Sequence, residues 1–159
     1  MEADKPKYSI DTSAILDGWI RYYPPDVFPV AWRMVEELID SGVLIAAEEV
    51  LVDLQKKDDD VYKWARRHQS MFVPVDEAIQ IAVKEILASH RRLVDTRRNR
   101  SGADPFVIAL AKINGCAVIT GEKPSNSTDR PNIPDVCNAM GIRWLNMLEL
   151  FREQGWSFK

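Results

Sequence analysis

The chain has 159 residues, of which 46% are hydrophobic and 28% are charged, and its formal net charge is -3. This composition is typical of a soluble globular domain, and it excludes disordered, collagen-like and linker-rich chains. The acidic balance also argues against a protein that coats nucleic acid through overall positive charge. A local basic patch beside an acidic site remains compatible with it.

The cysteines and the hydropathy pattern favour the cytoplasm. Two cysteines, Cys116 and Cys137, are too few for a disulfide framework or a cysteine-only zinc site, and both lie in apolar runs, so we expect buried, reduced thiols. The N-terminal residues lack the pattern of a signal peptide, and no apolar run approaches the roughly 18 residues that cross a bilayer. We therefore expect a cytoplasmic protein without a membrane partner.

Strand and helix patterns alternate along the whole chain. In order, they predict a strand at 7–10, helices at 13–22 and 29–41, a strand at 43–46, helices at 48–57 and 58–69, a strand at 71–75 and a long amphipathic helix at 76–92. A polar basic stretch at 95–102 leads to an apolar helix at 105–114, a strand at 116–120, a proline-containing loop at 121–134, a helix at 133–140, a strand at 142–145 and a last helix at 146–154.

This alternation predicts an α/β protein, namely a three-layer α/β/α sandwich with a mostly parallel sheet of four or five strands. No repeat or linker divides the chain, so we expect a single domain over residues 1–159. In such sheets the functional site lies beyond the carboxyl ends of the strands, where the strand order reverses. The residues that follow the predicted strands are therefore the first candidates.

Carboxylates stand at these positions. Asp11 follows the first strand, Glu49 and Asp53 share one face of the helix after the second strand, Asp104 begins the apolar helix, and Glu122 follows the strand at 116–120. Carboxylates gathered at one end of a sheet would repel one another and raise one another's pKa values unless a cation lay between them. Oxygen ligands without histidine or cysteine suit Mg²⁺ or Mn²⁺.

Each of these acids also has a purely structural interpretation. Asp11 and Asp104 could be helix N-caps, Asp53 could form an exposed ion pair with Lys57, and Glu122 could be a loop charge. A capping carboxylate keeps lone pairs free, so the two interpretations do not exclude each other.

The ordered set of motifs resembles the PIN-domain ribonuclease family. The resemblance rests on Asp11-Thr12-Ser13 after a strand, Val50-Leu51-Val52-Asp53-Leu54 on a helix, Gly102-Ala103-Asp104-Pro105-Phe106 on a buried helix and Ile119-Thr120-Gly121-Glu122 after a strand. Two further stretches, Ile133-Pro134-Asp135-Val136-Cys137 and Asp59-Asp60-Val61-Tyr62-Lys63-Trp64, resemble a VapC-like branch among prokaryotic toxin-antitoxin proteins. The resemblance extends from about residue 8 to residue 158.

The resemblance implies an endoribonuclease that depends on Mg²⁺ or Mn²⁺, with a cognate antitoxin protein and a homodimer as expected partners. It assigns Asp11, Asp53, Asp104 and Glu122 as catalytic and metal-binding acids. Most PIN proteins have Glu at the position of Asp53 and Asp at the position of Glu122, so Glu49 is the substitute for the second ligand.

The sequence offers further candidate site residues. Thr12 or Ser13 is expected to hydrogen-bond a metal ligand or a phosphate, and Asp135 is an additional outer candidate. Residues 91–100 hold five arginines and one aspartate, a local charge of +4, and could hold the RNA backbone. The candidates for this contact are Arg97, Arg98, Arg100 and Lys123. The alternative is a solvated helix end followed by a basic loop.

The same residues allow two other functions. A phosphatase with Asp11 as nucleophile is disfavoured, because Ser13 stands where that fold usually has a second Asp. A degenerate PIN fold that binds a partner without catalysis remains the alternative, since two of the four acids differ in length from the family pattern. Among the aromatic residues, Trp32 and Trp64 are expected in the core, whereas Trp156 and Phe158 could dock on the body or at an oligomer interface.

Overall fold

A five-stranded sheet forms the centre of the computed structural model, which describes residues 5–57, 59–93, 102–127 and 129–159. The strands are β1 (Tyr8–Ile10), β2 (Leu44–Ala47), β3 (Phe72–Val73), β4 (Ala117–Ile119) and β5 (Trp144–Leu145). All neighbouring pairs are parallel, and the order across the sheet is β3-β2-β1-β4-β5. The predicted α/β class and its parallel sheet are confirmed.

Helices connect these strands, as parallel pairing requires. They are α1 (Thr12–Leu16), α2 (Pro29–Asp40), α3 (Glu48–Gln55), α4 (Asp60–Arg67), α5 (Glu77–Ser89), α6 (Asp104–Asn114), α7 (Ile133–Met140) and α8 (Met147–Glu153). Short 3₁₀ turns lie at Gln69–Met71 and Arg91–Leu93. Among the described helices, none is both long and apolar enough to cross a membrane.

The strand order reverses between β1 and β4. The chain runs from β1 outwards to β3 at one edge and then returns to β4 on the other side of β1. Helix α6 carries this return and is buried along most of its length. The Ser9 hydroxyl donates to the Val107 carbonyl at 2.9 Å, which fixes α6 against the central strand. Because α6 runs back towards the start of β4, its first residues lie near the carboxyl ends of the strands.

The predicted helix at 13–22 differs most from the structure. It divides into α1 and a π-helical turn at Asp17–Tyr22. The wider turn places the Trp19 ring 5.0 Å from that of Trp32 and 5.6 Å from that of Trp64. A π turn inserts a residue into helical spacing and leaves no distinct hydrophobic period, so the sequence pattern could not separate it from an α-helix.

The cysteines and tryptophans lie where the sequence analysis expected them. Cys116 and Cys137 are buried and free. Trp32 and Trp64 are also buried. Of the two interpretations of the C-terminal aromatic residues, the structure favours docking on the body, since the Trp156 and Phe158 rings pack 5.3 and 5.5 Å from that of Phe151.

Candidate functional site

Asp11 lies at the carboxyl end of the central strand and is only 2% exposed. It is the N-cap of α1, and its Oδ1 accepts a hydrogen bond from the Ala14 N–H at 2.8 Å. The structural role that the sequence allowed is therefore present. Capping alone occupies only one acceptor position of the carboxylate.

Two hydroxyl groups also donate to Asp11. The Ser13 hydroxyl lies 2.8 and 2.9 Å from the two carboxylate oxygens, and the Thr120 hydroxyl donates to Oδ2 at 2.7 Å. Each hydroxyl accepts a backbone N–H, from Gly121 at 2.9 Å and from Glu122 at 3.0 Å respectively. These N–H groups occupy hydroxyl lone pairs, so the hydroxyl protons are free to point at Asp11. The arrangement suits an ionised carboxylate at this position.

The electrostatic environment opposes that charge. Burial raises the pKa of Asp11 to about 7, and the negative charge of Glu122 adds to the shift, although hydrogen bonds from Ala14, Thr120 and Ser13 act against it. Burial likewise raises the pKa of the neighbouring Cys137 thiol to about 12, with further contributions from Asp11 and Glu122. Asp11 and Glu122 therefore act on the same small region, and a cation there would relieve the cost of both charges.

Asp53 contacts Thr12, the residue that follows Asp11. The Thr12 hydroxyl donates to Asp53 Oδ2 at 3.0 Å, so two adjacent residues of α1, Thr12 and Ser13, contact two of the predicted acids. Lys56 Nζ lies 3.8 Å from the other carboxylate oxygen of Asp53, but most of the lysine is in solvent. Glu49, the substitute second ligand, is half-buried one turn earlier in α3.

Asp104 is the first residue of α6 and is 9% exposed. Ala103, not Asp104, occupies the N-cap position, so the capping interpretation of Asp104 is wrong. An acidic side chain in the first turn still interacts favourably with the helix dipole. Asp104 lies three residues before Val107, which contacts Ser9 of β1, and therefore stands towards the same edge of the sheet as Asp11.

A further carboxylate at the site, Asp17, was not among the residues predicted from the sequence. A Cβ atom at Gly121 would lie 2.4 Å from Asp17 Oδ2 and 3.1 Å from the Ser13 carbonyl oxygen. Asp17 thus lies directly against the turn that supplies the Gly121 and Glu122 N–H groups. Its signal in the sequence was the pair of positions Ser13 and Asp17, four apart on the predicted helix, which places them on one face.

The remaining candidates have different surroundings. Lys123 lines a cavity next to this turn. Asp135, the outer candidate, has a structural role, because its carboxylate accepts hydrogen bonds from the backbone of Ser125, Asn126 and Asn132 and so holds the loop before α7. Arg97, Arg98 and Arg100 lie outside the described residues.

The donor set has the chemistry of a divalent hard-metal site. Its members at the strand ends are carboxylates and hydroxyls, and burial together with Glu122 disfavours the charge of Asp11. Within the described ranges, however, no three His, Cys, Asp or Glu side chains are grouped so that they could hold a metal ion. Mg²⁺ keeps several of its waters and commonly uses one or two protein carboxylates together with substrate phosphates, so the chemistry of these residues fits the ion.

Comparison with known proteins supports the fold. The chain is similar to a chain in the 2.2 Å structure of VapBC-1 from nontypeable Haemophilus influenzae, with a TM-score of 0.55 and 13% identity over 89% of this chain and 98% of that chain. At this identity the similarity concerns the fold alone, and it agrees with a PIN-like three-layer sandwich. No curated protein matches the sequence. A family model described as a domain of unknown function, DUF4411, matches residues 8–158, and the chain therefore belongs to the DUF4411 family.

Proposed function

We propose that this protein is a metal-dependent endoribonuclease that hydrolyses RNA phosphodiester bonds as the toxin of a toxin-antitoxin pair. The observation that carries the proposal is the buried Asp11 carboxylate at the switch point of the sheet, held by two oriented hydroxyls and next to Glu122. The resemblance of the motifs to PIN-domain ribonucleases and the similarity of the fold to a VapBC-1 chain support the same activity.

Asp11 and Asp104 would hold the main Mg²⁺ or Mn²⁺ ion, with Asp53 or Glu49 and Glu122 completing the set directly or through water. When bound, such an ion lowers the pKa of a coordinated water and offsets charge on the phosphate and the leaving oxygen.

The protein's own groups prepare this site. The Ser13 and Thr120 hydroxyls orient the Asp11 carboxylate, and the Thr12 hydroxyl donates to Asp53. Burial of Asp11 keeps bulk water away and strengthens its electrostatic interactions. The arginines Arg97, Arg98 and Arg100 would hold the RNA backbone through charge, and Lys123 would contact the RNA from the cavity beside the Gly121 turn.

The proposal includes partners and a compartment. We expect inhibition by a cognate antitoxin protein, assembly of the toxin as a homodimer, and action on cytoplasmic RNA. Induced expression should arrest growth with the wild-type protein and not with Asp11→Asn at equal protein level. Equal arrest by both proteins would contradict a toxin that acts through this site. Mass measurement of the purified protein in solution tests the homodimer.

One observation favours the alternative, a binding module without catalytic activity. It is the lack, among the described residues, of three metal-type side chains grouped so that they could hold an ion. Thermal unfolding separates the two functions. A nuclease should gain stability with Mn²⁺, and this gain should disappear in Asp11→Asn, whereas a binding module should show no such shift.

The decisive experiment is cleavage of labelled single-stranded RNA with Mn²⁺, Mg²⁺ or EDTA by the wild type, Asp11→Asn and Asp104→Asn. Asp26→Asn is a matched control because this acid is exposed and lies outside the site. We expect activity in the wild type and the control only, and only with metal. Equal cleavage by all four proteins would identify a contaminant or another site.

The second acidic ligand needs its own comparison. Asp53→Asn and Glu49→Gln change the two candidates on α3 without removing side-chain volume. Because Asp53 contacts Thr12, we expect the larger loss of activity in Asp53→Asn. A larger loss of activity in Glu49→Gln would instead identify Glu49, one turn earlier in α3, as the second acidic ligand.

A further inference from the structure

A cavity of about 280 Å³ opens beside the acidic site, between the π-helical turn and the start of α8. Its apolar walls come from the aromatic rings of Tyr22 and Tyr23 and from Met147 and Leu148. Tyr22 is 61% exposed, whereas the Tyr23 ring packs against that of Phe151, with ring centroids 4.9 Å apart. The Tyr22 and Tyr23 rings are inclined by 56°, so the exposed Tyr22 is the aromatic residue on which a planar ring system could stack.

The cavity also contains two side chains of opposite charge, Asp17 and Lys123. Asp17 supplies two acceptor oxygens, Lys123 supplies an ammonium donor, and both line the same space. Within the part of the chain that the structure describes, neither side chain makes a hydrogen bond or an ion pair. A ligand with adjacent N–H donors beside an acceptor oxygen would satisfy both of them.

The cavity borders the acidic site at Gly121. Gly121 lines it and donates its N–H to the Ser13 hydroxyl, which in turn contacts Asp11. Asp17 occupies the space that a side chain at position 121 would fill. Gly121 and the Ser13 hydroxyl therefore lie between a group in the cavity and the Asp11 carboxylate.

From this geometry we infer that the cavity binds a guanine base of the RNA, in the nucleotide next to the cleaved phosphate. The Watson–Crick edge of guanine carries the N1 and N2 donors for Asp17 and the O6 acceptor for Lys123, and its ring stacks on Tyr22. Adenine, cytosine and uracil each present only part of this pattern. The inference rests on the proposed function for its substrate, but binding of the base depends on the cavity alone.

The first test measures binding of GMP, AMP, CMP and UMP in EDTA, where no reaction occurs. We expect GMP to bind at least about tenfold more tightly than the others. Asp17→Asn should weaken GMP affinity by about 10- to 100-fold, as for a hydrogen bond to a charged group, and Tyr22→Ala by about tenfold, because the stacking surface is removed. Asp26→Asn is the matched control, because this exposed acid does not line the cavity. Equal binding of all four nucleotides, or no binding, would overturn the inference.

The second test uses single-stranded RNAs that carry one guanine at successive positions. Cleavage should concentrate next to the guanine in the wild type and lose that preference in Asp17→Asn while the control keeps it. Cleavage without base preference would overturn the cavity assignment and leave the nuclease intact. GMP binding that depends on Asp17 in a protein that cleaves no RNA would instead remove the nuclease and assign the cavity to a free guanine nucleotide.

Discussion

The Asp11 carboxyl group combines two opposed features. Three donors hold it as an acceptor, yet burial and Glu122 raise its pKa to about 7. A group of this kind reduces the stability of the folded protein whenever it is ionised without a counter-charge. Its presence at the strand end is better explained by a ligand than by helix capping, for which an exposed side chain would be enough.

The pH dependence of stability follows from this pKa. Because the folded-state value of about 7 lies above the ordinary 3.8, the folded protein retains a proton between these values that the unfolded chain has released. The contribution of protonated Asp11 to the free energy of unfolding is complete below about pH 4. It decreases by roughly 1.4 kcal/mol per pH unit as the pH rises to about 7. In EDTA, Asp11→Asn should therefore gain stability relative to the wild type over this range.

Urea unfolding at about pH 5 and about pH 8 measures the difference, with Asp26→Asn as the control. A wild type that becomes more stable than Asp11→Asn with rising pH would show that the protein itself compensates the charge. Added Mn²⁺ should reverse the order at the higher pH, because an ion that binds only the folded protein stabilises it.

Gly121 is a second residue whose identity the site requires. A methyl group there meets Asp17 Oδ2 and the Ser13 carbonyl oxygen, and the backbone oxygen cannot move as easily as the side chain. We expect Gly121→Ala to lower the free energy of unfolding by about 1–3 kcal/mol. Adding Asp17→Ala should restore part of it, whereas Gly102→Ala, where a Cβ meets nothing within 4 Å, should change little. If Gly121→Ala left the free energy of unfolding unchanged, this would contradict the close approach of Asp17 and the Ser13 carbonyl oxygen to position 121.

The four candidate acids could be selected from the sequence because each lies in or directly beside a recognisable strand or helix. Asp17 and the cavity were not predicted, because they depend on the contact between a π-helical turn and a loop that is distant in the sequence. No local sequence pattern indicates such a contact. The role of Asp135 was also missed, since its hydrogen-bond partners lie in a loop without a regular period.

At the scale of elements, α7 holds the loop that precedes it through the hydrogen bonds of Asp135. Burial alone raises the pKa of Asp135, but the surrounding hydrogen bonds outweigh it and hold the value below its usual range. One side chain thus anchors both ends of a loop that begins beside Lys123. The position of Lys123 in the cavity depends on this anchor.

We expect Asp135→Ala to lower the free energy of unfolding by about 2–3 kcal/mol, since several donors lose a charged acceptor together. Hydrogen exchange should accelerate at the amides of Ser125 and Asn126 more than in the strands. Asp76→Ala is the matched control, because it removes one N-cap bond at α5 and should cost only about 1 kcal/mol. Unchanged exchange at the loop would contradict the anchoring role.

The boundaries of most helices could be predicted from caps and stop signals. Gly115 and Gly141, for example, end α6 and α7 in the left-handed conformation that glycine adopts without strain. The order of the strands could not be read from one sequence. It depends on pairing between β1 and β4, which are separated by more than a hundred residues.

For the whole molecule, charge is unevenly distributed along the sequence. The chain carries -3 overall but +4 over residues 91–100. If this segment binds RNA, the logarithm of affinity should fall with the logarithm of salt concentration. Replacing Arg97, Arg98 and Arg100 by Ala should then reduce the slope by about 0.7 for each phosphate that the variant no longer neutralises. RNA binding measured between low and physiological salt tests this. An unchanged slope would contradict a contact between these arginines and RNA phosphates, and would favour the alternative of a solvated basic loop.

The hydrogen bond between Thr120 and Asp11 joins residues 109 positions apart in the chain. During synthesis, the first strand therefore emerges from the ribosome long before the partner that completes its acidic pocket. A nascent chain that stops short of Thr120 has neither the neighbouring central strand nor the hydroxyl that orients the carboxylate. Only a polypeptide extended beyond Thr120 can assemble this pocket, so the pocket forms only after most of the domain has been made.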